Sequence, residues 1–204
     1  MKRSLLLTGL CLFTALATAS DEAVDQLLAE LSGLHQLQGD FRQTQFGQEG
    51  QPLAESSGRF QLLRPGYFVW EILSPDSQLI IADPDNLWHY DRDLETVTRR
   101  PVSGREEMSP LQVLGGDEDI LRERFTVTVE PGGAYRLLPV VGDPGFRSLT
   151  LRLQAGAIRG MEILDNLDQR ISIEFMNLDA ATSLTVDDFA FSPPEDADLF
   201  YHDE

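Results

Sequence analysis

His89 and Asp91 stand two residues apart in a β-prone run, Leu87-Trp88-His89-Tyr90-Asp91, so they share one face of a strand. An imidazole beside a carboxylate could serve as a general acid/base pair. Two polar groups on a strand face are more commonly just solvated, and no nucleophile or orienting third group stands near them in the chain. His35 and His202 have no such partner. Asp83-Pro84-Asp85 begins like a calcium loop but lacks the glycine and the closing glutamate that the loop requires, so it reads as a turn. Glu106-Glu107 and Asp117 to Asp119 are best explained as caps or solvated ends of short helices. The chain has no G-x-S-x-G elbow, phosphate loop, dinucleotide fingerprint or H-E-x-x-H pair. The reading is of a binding protein, with no catalytic residues, no metal ligands and no cofactor.

What the sequence offers instead is an apolar surface with an arginine at its rim. Arg64-Pro65-Gly66 opens a β-meander whose runs are separated by Ser74-Pro75-Asp76 and Asp83-Pro84-Asp85-Asn86. Period-2 alternation puts Phe68, Trp70 and Ile72 on one strand face, and Leu79 and Ile81 on one face of the next. Phe60, Leu62, Trp88 and Phe125 are candidates for the same surface. Each alone could be ordinary core. Together they could line a cavity for acyl chains, which need no catalytic group because each buried methylene contributes about 0.8 kcal/mol.

Several elements must position that surface. Val24, Leu27, Leu28, Leu31, Leu34 and Leu37 recur at three- and four-residue steps, predicting an amphipathic helix that starts with Asp21-Glu22 in its first turn and ends at Gly39. Leu28 and Leu31 would face the cavity. Residues 101 to 124, punctuated by Pro101, Gly104, Pro110 and Gly115-Gly116, read as short helices around Leu111, Val113 and Leu114, and as the best candidate for a mobile lid. The rest alternates strand and tight turn, predicting an α+β fold with a strongly curved antiparallel sheet of about ten strands, an incomplete β-barrel. Phe189 and Phe191 before Pro193-Pro194 look like a last edge strand, with a loose acidic tail after them.

Lys2 and Arg3, the apolar run Leu5 to Leu16 and Ala17-Thr18-Ala19 form a secretory signal, leaving residues 20–204 as a single mature domain. Cys11, the only cysteine, lies inside that signal, preceded by Leu10 rather than the small residue of a lipidation motif. The mature chain would then have no thiol and no disulfide, and no later apolar run is long enough to span a bilayer. The net charge is −18, and Lys2 is the sole lysine. Such a balance excludes nucleic acid as a partner and disfavours anionic membrane surfaces. Stable membrane insertion is not expected.

The runs RPGYFVWEILSP, QLIIAD and LWHYDRDLE, then Ser109-Pro110-Leu111 with Val113-Leu114, then Phe189-Ala190-Phe191-Ser192-Pro193-Pro194, keep an order and spacing that resemble the periplasmic outer-membrane lipoprotein carrier family, LolA. The resemblance implies an incomplete barrel closed by an N-terminal helix and lid helices around an apolar cavity. It also implies a monomeric periplasmic chaperone that takes acylated lipoproteins from the inner-membrane LolCDE release complex to the outer-membrane receptor LolB. In this family Arg64 would match the arginine that bonds lid-helix carbonyls and holds the cavity shut, and Phe68 an aromatic that lines it. Glu195-Asp196, where glycine usually follows the double proline, and the polar His89 are departures. They leave open a periplasmic lipid- or glycolipid-binding protein with the same fold, and, less favoured, a sensor of lipoproteins or misfolded porins.

Overall fold

The computed structural model describes residues 12–102, 113–114, 118–140, 145–154 and 156–201, with side chains from residue 20 onward. Helix α1 (Leu12–Leu31) leads into β1 (Gln36–Phe46), β2 (Pro52–Leu63), β3 (Tyr67–Ser74), β4 (Gln78–Ala82), β5 (Asn86–Asp91) and β6 (Thr96–Pro101). Helix α2 (Glu118–Arg124) precedes β7 (Phe125–Val129), β8 (Tyr135–Pro139), β9 (Phe146–Gln154), β10 (Ala157–Asp165) and β11 (Arg170–Asp179). A 3-10 turn at Val186–Phe189 and a last strand, β12 (Asp198–Tyr201), complete the chain.

All twelve strands form one sheet, ordered β12-β6-β5-β4-β3-β2-β1-β11-β10-β9-β8-β7. Neighbouring strands run antiparallel except for β12, which lies parallel to β6, and the sheet stays open because β7 and β12 end it without meeting. The expected incomplete barrel forms, with twelve strands among the described residues rather than about ten.

The register sorts side chains onto two faces, since residues directly opposite across an antiparallel pair point the same way. One row runs Leu62, Phe68, Ala82, Leu87, Arg100, and the next Phe60, Trp70, Ile80, His89, Thr98. These rows lie on the face that carries α1: Val24, Leu27 and Leu31 of the helix pack into one cluster with Phe60, Leu62, Phe68 and Trp70. Phe41 stacks on Trp70 with ring centroids 3.6 Å apart. Tyr135, also buried, donates its hydroxyl hydrogen to Glu30 Oε1 at 2.7 Å and ties α1 to β8.

The opposite face holds a second, smaller core. Val69 is opposite Ile81, which is opposite Trp88, and Leu79 is opposite Tyr90. The chain after β11 crosses this face, with Phe189 against Tyr67 at 5.6 Å and Phe191 between Trp88 and Tyr90 at 5.5 and 6.1 Å. Ile81, Val97 and Phe189 are buried, although none belongs to the main cluster.

Four expectations change. Helix α1 stops at Leu31 rather than at Gly39, and His35 lies outside it. Leu34 and Leu37 are buried as expected, but Leu37 reaches the core from a strand, because the alternation of Leu37 and Phe41 suits β1 as well as the leucine spacing suits a helix. Gly39 is therefore no cap. It sits in β1 where an added Cβ would lie 2.7 Å from the Met176 carbonyl oxygen. Because α1 starts at Leu12, Asp21 and Glu22 fall within it instead of in its first turn. Finally, Phe189 and Phe191 form the strap over the outer face, not an edge strand. The edge is β12, inside the tail expected to be loose, and it pairs parallel to β6.

Candidate functional site

Arg64 leaves the end of β2 half-buried, its own N–H held by the His35 carbonyl at 2.9 Å. Its guanidinium fans out over two helical segments. Nε and Nη2 both donate to the Leu114 carbonyl oxygen, at 3.1 and 2.6 Å, and Nη1 donates to the Leu31 carbonyl oxygen at 3.4 Å. Leu31 is the last residue of α1, where carbonyls run out of partners within the helix. The planar fork of five donors makes this double grip possible, and an ammonium could not reproduce it. Burial pulls the guanidinium below its ordinary pKa, so the group is held in a space where water competes poorly for its hydrogen bonds.

Beneath this grip lies an apolar cavity bordered by Leu37, Phe60, Leu62, Phe68, Trp70, Leu114, Ile158 and Phe175, with Gln61 and Val69 of the intervening strand positions also at its edge. Its free volume is about 10 Å³. That is near the least that admits one water, so an acyl chain enters only if the walls part. The remaining volume is filled by the lining itself: Phe60, Leu62, Phe68, Trp70 and Leu114 are each at most 5% exposed.

Of the residues singled out in the sequence, Phe60, Leu62, Phe68 and Trp70 line this cavity together with Leu114. Leu28, Leu31, Ile72, Val113 and Phe125 belong to the same main core without bordering the free space. Leu111 lies outside the described residues. Leu79, Ile81 and Trp88 are placed on the opposite face, under the strap, because the β3–β4 turn sets Trp70 against Ile80 rather than Ile81. The side chains that take their place on the helix face are Ile80, Ala82 and Leu87. Leu37 was expected on the helix stripe rather than in the lining, and Ile158 and Phe175 were not singled out, although Phe175 follows Ile173 at the strand period of two.

His89 and Asp91 do share a face, the helix face, where Gln78 bridges them: Gln78 Nε2 donates to Asp91 Oδ2 at 3.4 Å, and Gln78 Oε1 meets His89 Nε2 at 3.3 Å. Burial lowers the imidazole's pKa, Asp91 raises it and Arg100 lowers it again. Together these hold the ring's pKa below the ordinary imidazole value. Among the described residues no cluster of three His, Cys, Asp or Glu side chains could hold a metal ion. A larger hollow of about 480 Å³ on the outer face is polar, bordered by Gln38, Asp40, Asn177 and the Arg59–Glu71 ion pair. Its groups already satisfy one another: Asn177 donates to Asp40 at 2.6 Å and Arg59 to Glu71 at 2.8 Å.

The sequence profile of the outer membrane lipoprotein carrier protein LolA matches residues 32–192. The chain belongs to the LolA family. Among its curated relatives, an outer-membrane lipoprotein carrier protein of Coxiella burnetii is 31% identical over 199 residues, covering 95% of this chain and 94% of the relative. One of Methylococcus capsulatus is 35% identical over 179 residues and 86% of each chain. A LolA-like fold recurs in the solved structure of a putative outer membrane lipoprotein-sorting protein domain from Vibrio parahaemolyticus, at a TM-score of 0.54 and 14% identity over 85% of this chain and 97% of that one. A LolA superfamily protein from Nitrosomonas europaea matches at a TM-score of 0.52 and 8% identity, over 82% and 97%. At these identities the two structures speak for the fold alone. Among the described residues no helix is long and apolar enough to cross a membrane.

Proposed function

We propose that the chain is a periplasmic lipoprotein carrier that holds the acyl chains of its cargo between the sheet and the helices. The observation that carries this reading is the grip of Arg64 on the Leu114 and Leu31 carbonyls above an apolar space that is closed to about 10 Å³. A wholly apolar lining recognises hydrocarbon without chemistry, and a bond at its mouth sets when the space is available. Loading separates the helices from the sheet and breaks the Arg64 bonds. Their re-formation, with recovery of the closed core, favours release.

In this reading the segment before Ser20 is a signal removed after Ala19, leaving residues 20–204 as one domain with Asp21 and Glu22 in the first turn of the shortened α1. The carrier works as a monomer. It receives acylated lipoproteins from an inner-membrane release complex of the LolCDE type and delivers them to a LolB-type receptor at the outer membrane. The strong negative charge keeps it off anionic lipid surfaces and off nucleic acid. The test is native mass spectrometry of the protein purified gently from a periplasmic extract. A co-purifying triacylated lipoprotein supports the carrier, a free lipid or glycolipid assigns the chain to lipid binding, and a ligand-free protein that also fails to take up an apolar dye overturns both.

A further inference from the structure

The helix face changes character part-way across the sheet. From β2 through β4 its rows are apolar, Leu62-Phe68-Ala82 and Phe60-Trp70-Ile80, and Leu87 extends one of them into β5. Beyond that point the same rows continue as His89 and Thr98, and as Arg100, while the next row holds Gln78, Asp91 and Thr96. The polar shelf thus borders the apolar lining on the same side of the same sheet. Trp70 and His89 are two strands apart, roughly 10 Å at the usual strand spacing.

We propose that this shelf is a subsite for the polar head of the acylated ligand, the glyceryl esters and first amide of a diacylglyceryl-modified cysteine. The inference rests on the carrier reading and adds to it which residues meet the part of the cargo that is not hydrocarbon. An amphiphile with its chains against Phe68 and Trp70 can set its head on this shelf, because the polar rows begin about one strand beyond the apolar ones on the same face.

Their chemistry fits such a head. Ester carbonyls only accept hydrogen bonds, and the Thr98 hydroxyl donates. An amide N–H needs an acceptor. Because Gln78 gives its Nε2–H to Asp91, its Oε1 is turned to His89 and takes the Nε2–H of that ring, which leaves the His89 Nδ1 lone pair as the acceptor. His89 is exposed, so the position is reachable. The outer-face hollow offers no comparable arrangement, since its polar groups already pair with one another.

The experiment measures affinities of the purified mature protein for three probes: an apolar dye, diacylglycerol, and a synthetic peptide beginning with diacylglyceryl-cysteine. In His89→Leu the ratio of peptide to dye affinity falls about fivefold, the size of one lost hydrogen bond, and His89→Asn, whose side-chain oxygen takes the place of Nδ1, restores most of it. In Thr98→Val both ester-bearing probes weaken relative to the dye. Unchanged ratios in His89→Leu and Thr98→Val overturn the subsite while leaving the carrier reading intact. If the wild-type protein binds none of the three probes, the carrier reading falls and the subsite with it.

Discussion

The guanidinium of Arg64 holds the carbonyl oxygen of Leu114 with two N–H donors at 3.1 and 2.6 Å, across fifty residues of chain. The third bond, to Leu31, ties α1 into the same closure. One side chain therefore couples the end of β2, the end of α1 and the segment at Val113–Leu114.

Arg64→Leu removes all three donors and adds an apolar group at the rim. Hydrogen bonds to a charged group are worth about 1.5–3 kcal/mol, so the closed state loses about ten- to a hundredfold in population against the open one. The expected result is tighter binding of an apolar dye, by up to that order, and slower transfer of cargo to acceptor-bearing vesicles. Arg64→Lys lies between, because one ammonium cannot span both carbonyls. Dye affinity and cargo transfer equal to wild type in Arg64→Leu would show that the bonds do not control opening.

Tyr135 predicts a pH response on the other side of the core. Burial first, and then its hydrogen bond to Glu30, push the phenol up to about 12 from its ordinary 10.0. The unfolded chain loses this proton near pH 10 while the folded chain keeps it. Its contribution to stability is thus complete below about pH 10 and is lost progressively as pH rises to about 12. Urea unfolding in that window should show wild-type stability falling more steeply with pH than that of Tyr135→Phe. Parallel curves would mean that Tyr135 ionises equally easily in both states.

How far the sequence could be read depended on whether a pattern had one solution or two. Alternation in Phe68-Val69-Trp70 placed the two aromatics on the helix face, whereas local pattern alone left Arg64 a solvated strand-end residue and only the family resemblance pointed it at the lid carbonyls. In β4 the run Leu79-Ile80-Ile81-Ala82 is apolar on both faces, so period two could not choose between Ile80 and Ile81. The choice is made by the turn after Ser74, which sets Ile72 against Gln78. In β5 the larger Trp88 looked like the lining residue, yet it packs under Phe191 from a part of the chain a hundred residues away, a partner that local pattern does not announce. Leu37 satisfied the helix period with Leu34 and the strand period with Phe41, and the turn after Leu31 decided for β1.

The same register gives a sharp test with two neighbouring residues. Ile81 is 5% exposed and lies under the strap with Val69 and Trp88, whereas Ile80 points to the helix face beside Trp70 and is only partly buried. Ile81→Ala should therefore act as a core truncation, costing about 2–5 kcal/mol of stability with little change in affinity for acyl chains. Ile80→Ala removes less buried surface and so costs less stability, but it takes a methylene-rich wall from the ligand's side and should weaken acyl-chain binding severalfold. Denaturant midpoints and dye-displacement titrations on the two variants read the two effects separately. If Ile81→Ala weakened acyl binding and Ile80→Ala did not, the lining would belong to the strap face, and the site drawn between sheet and helices would be misplaced.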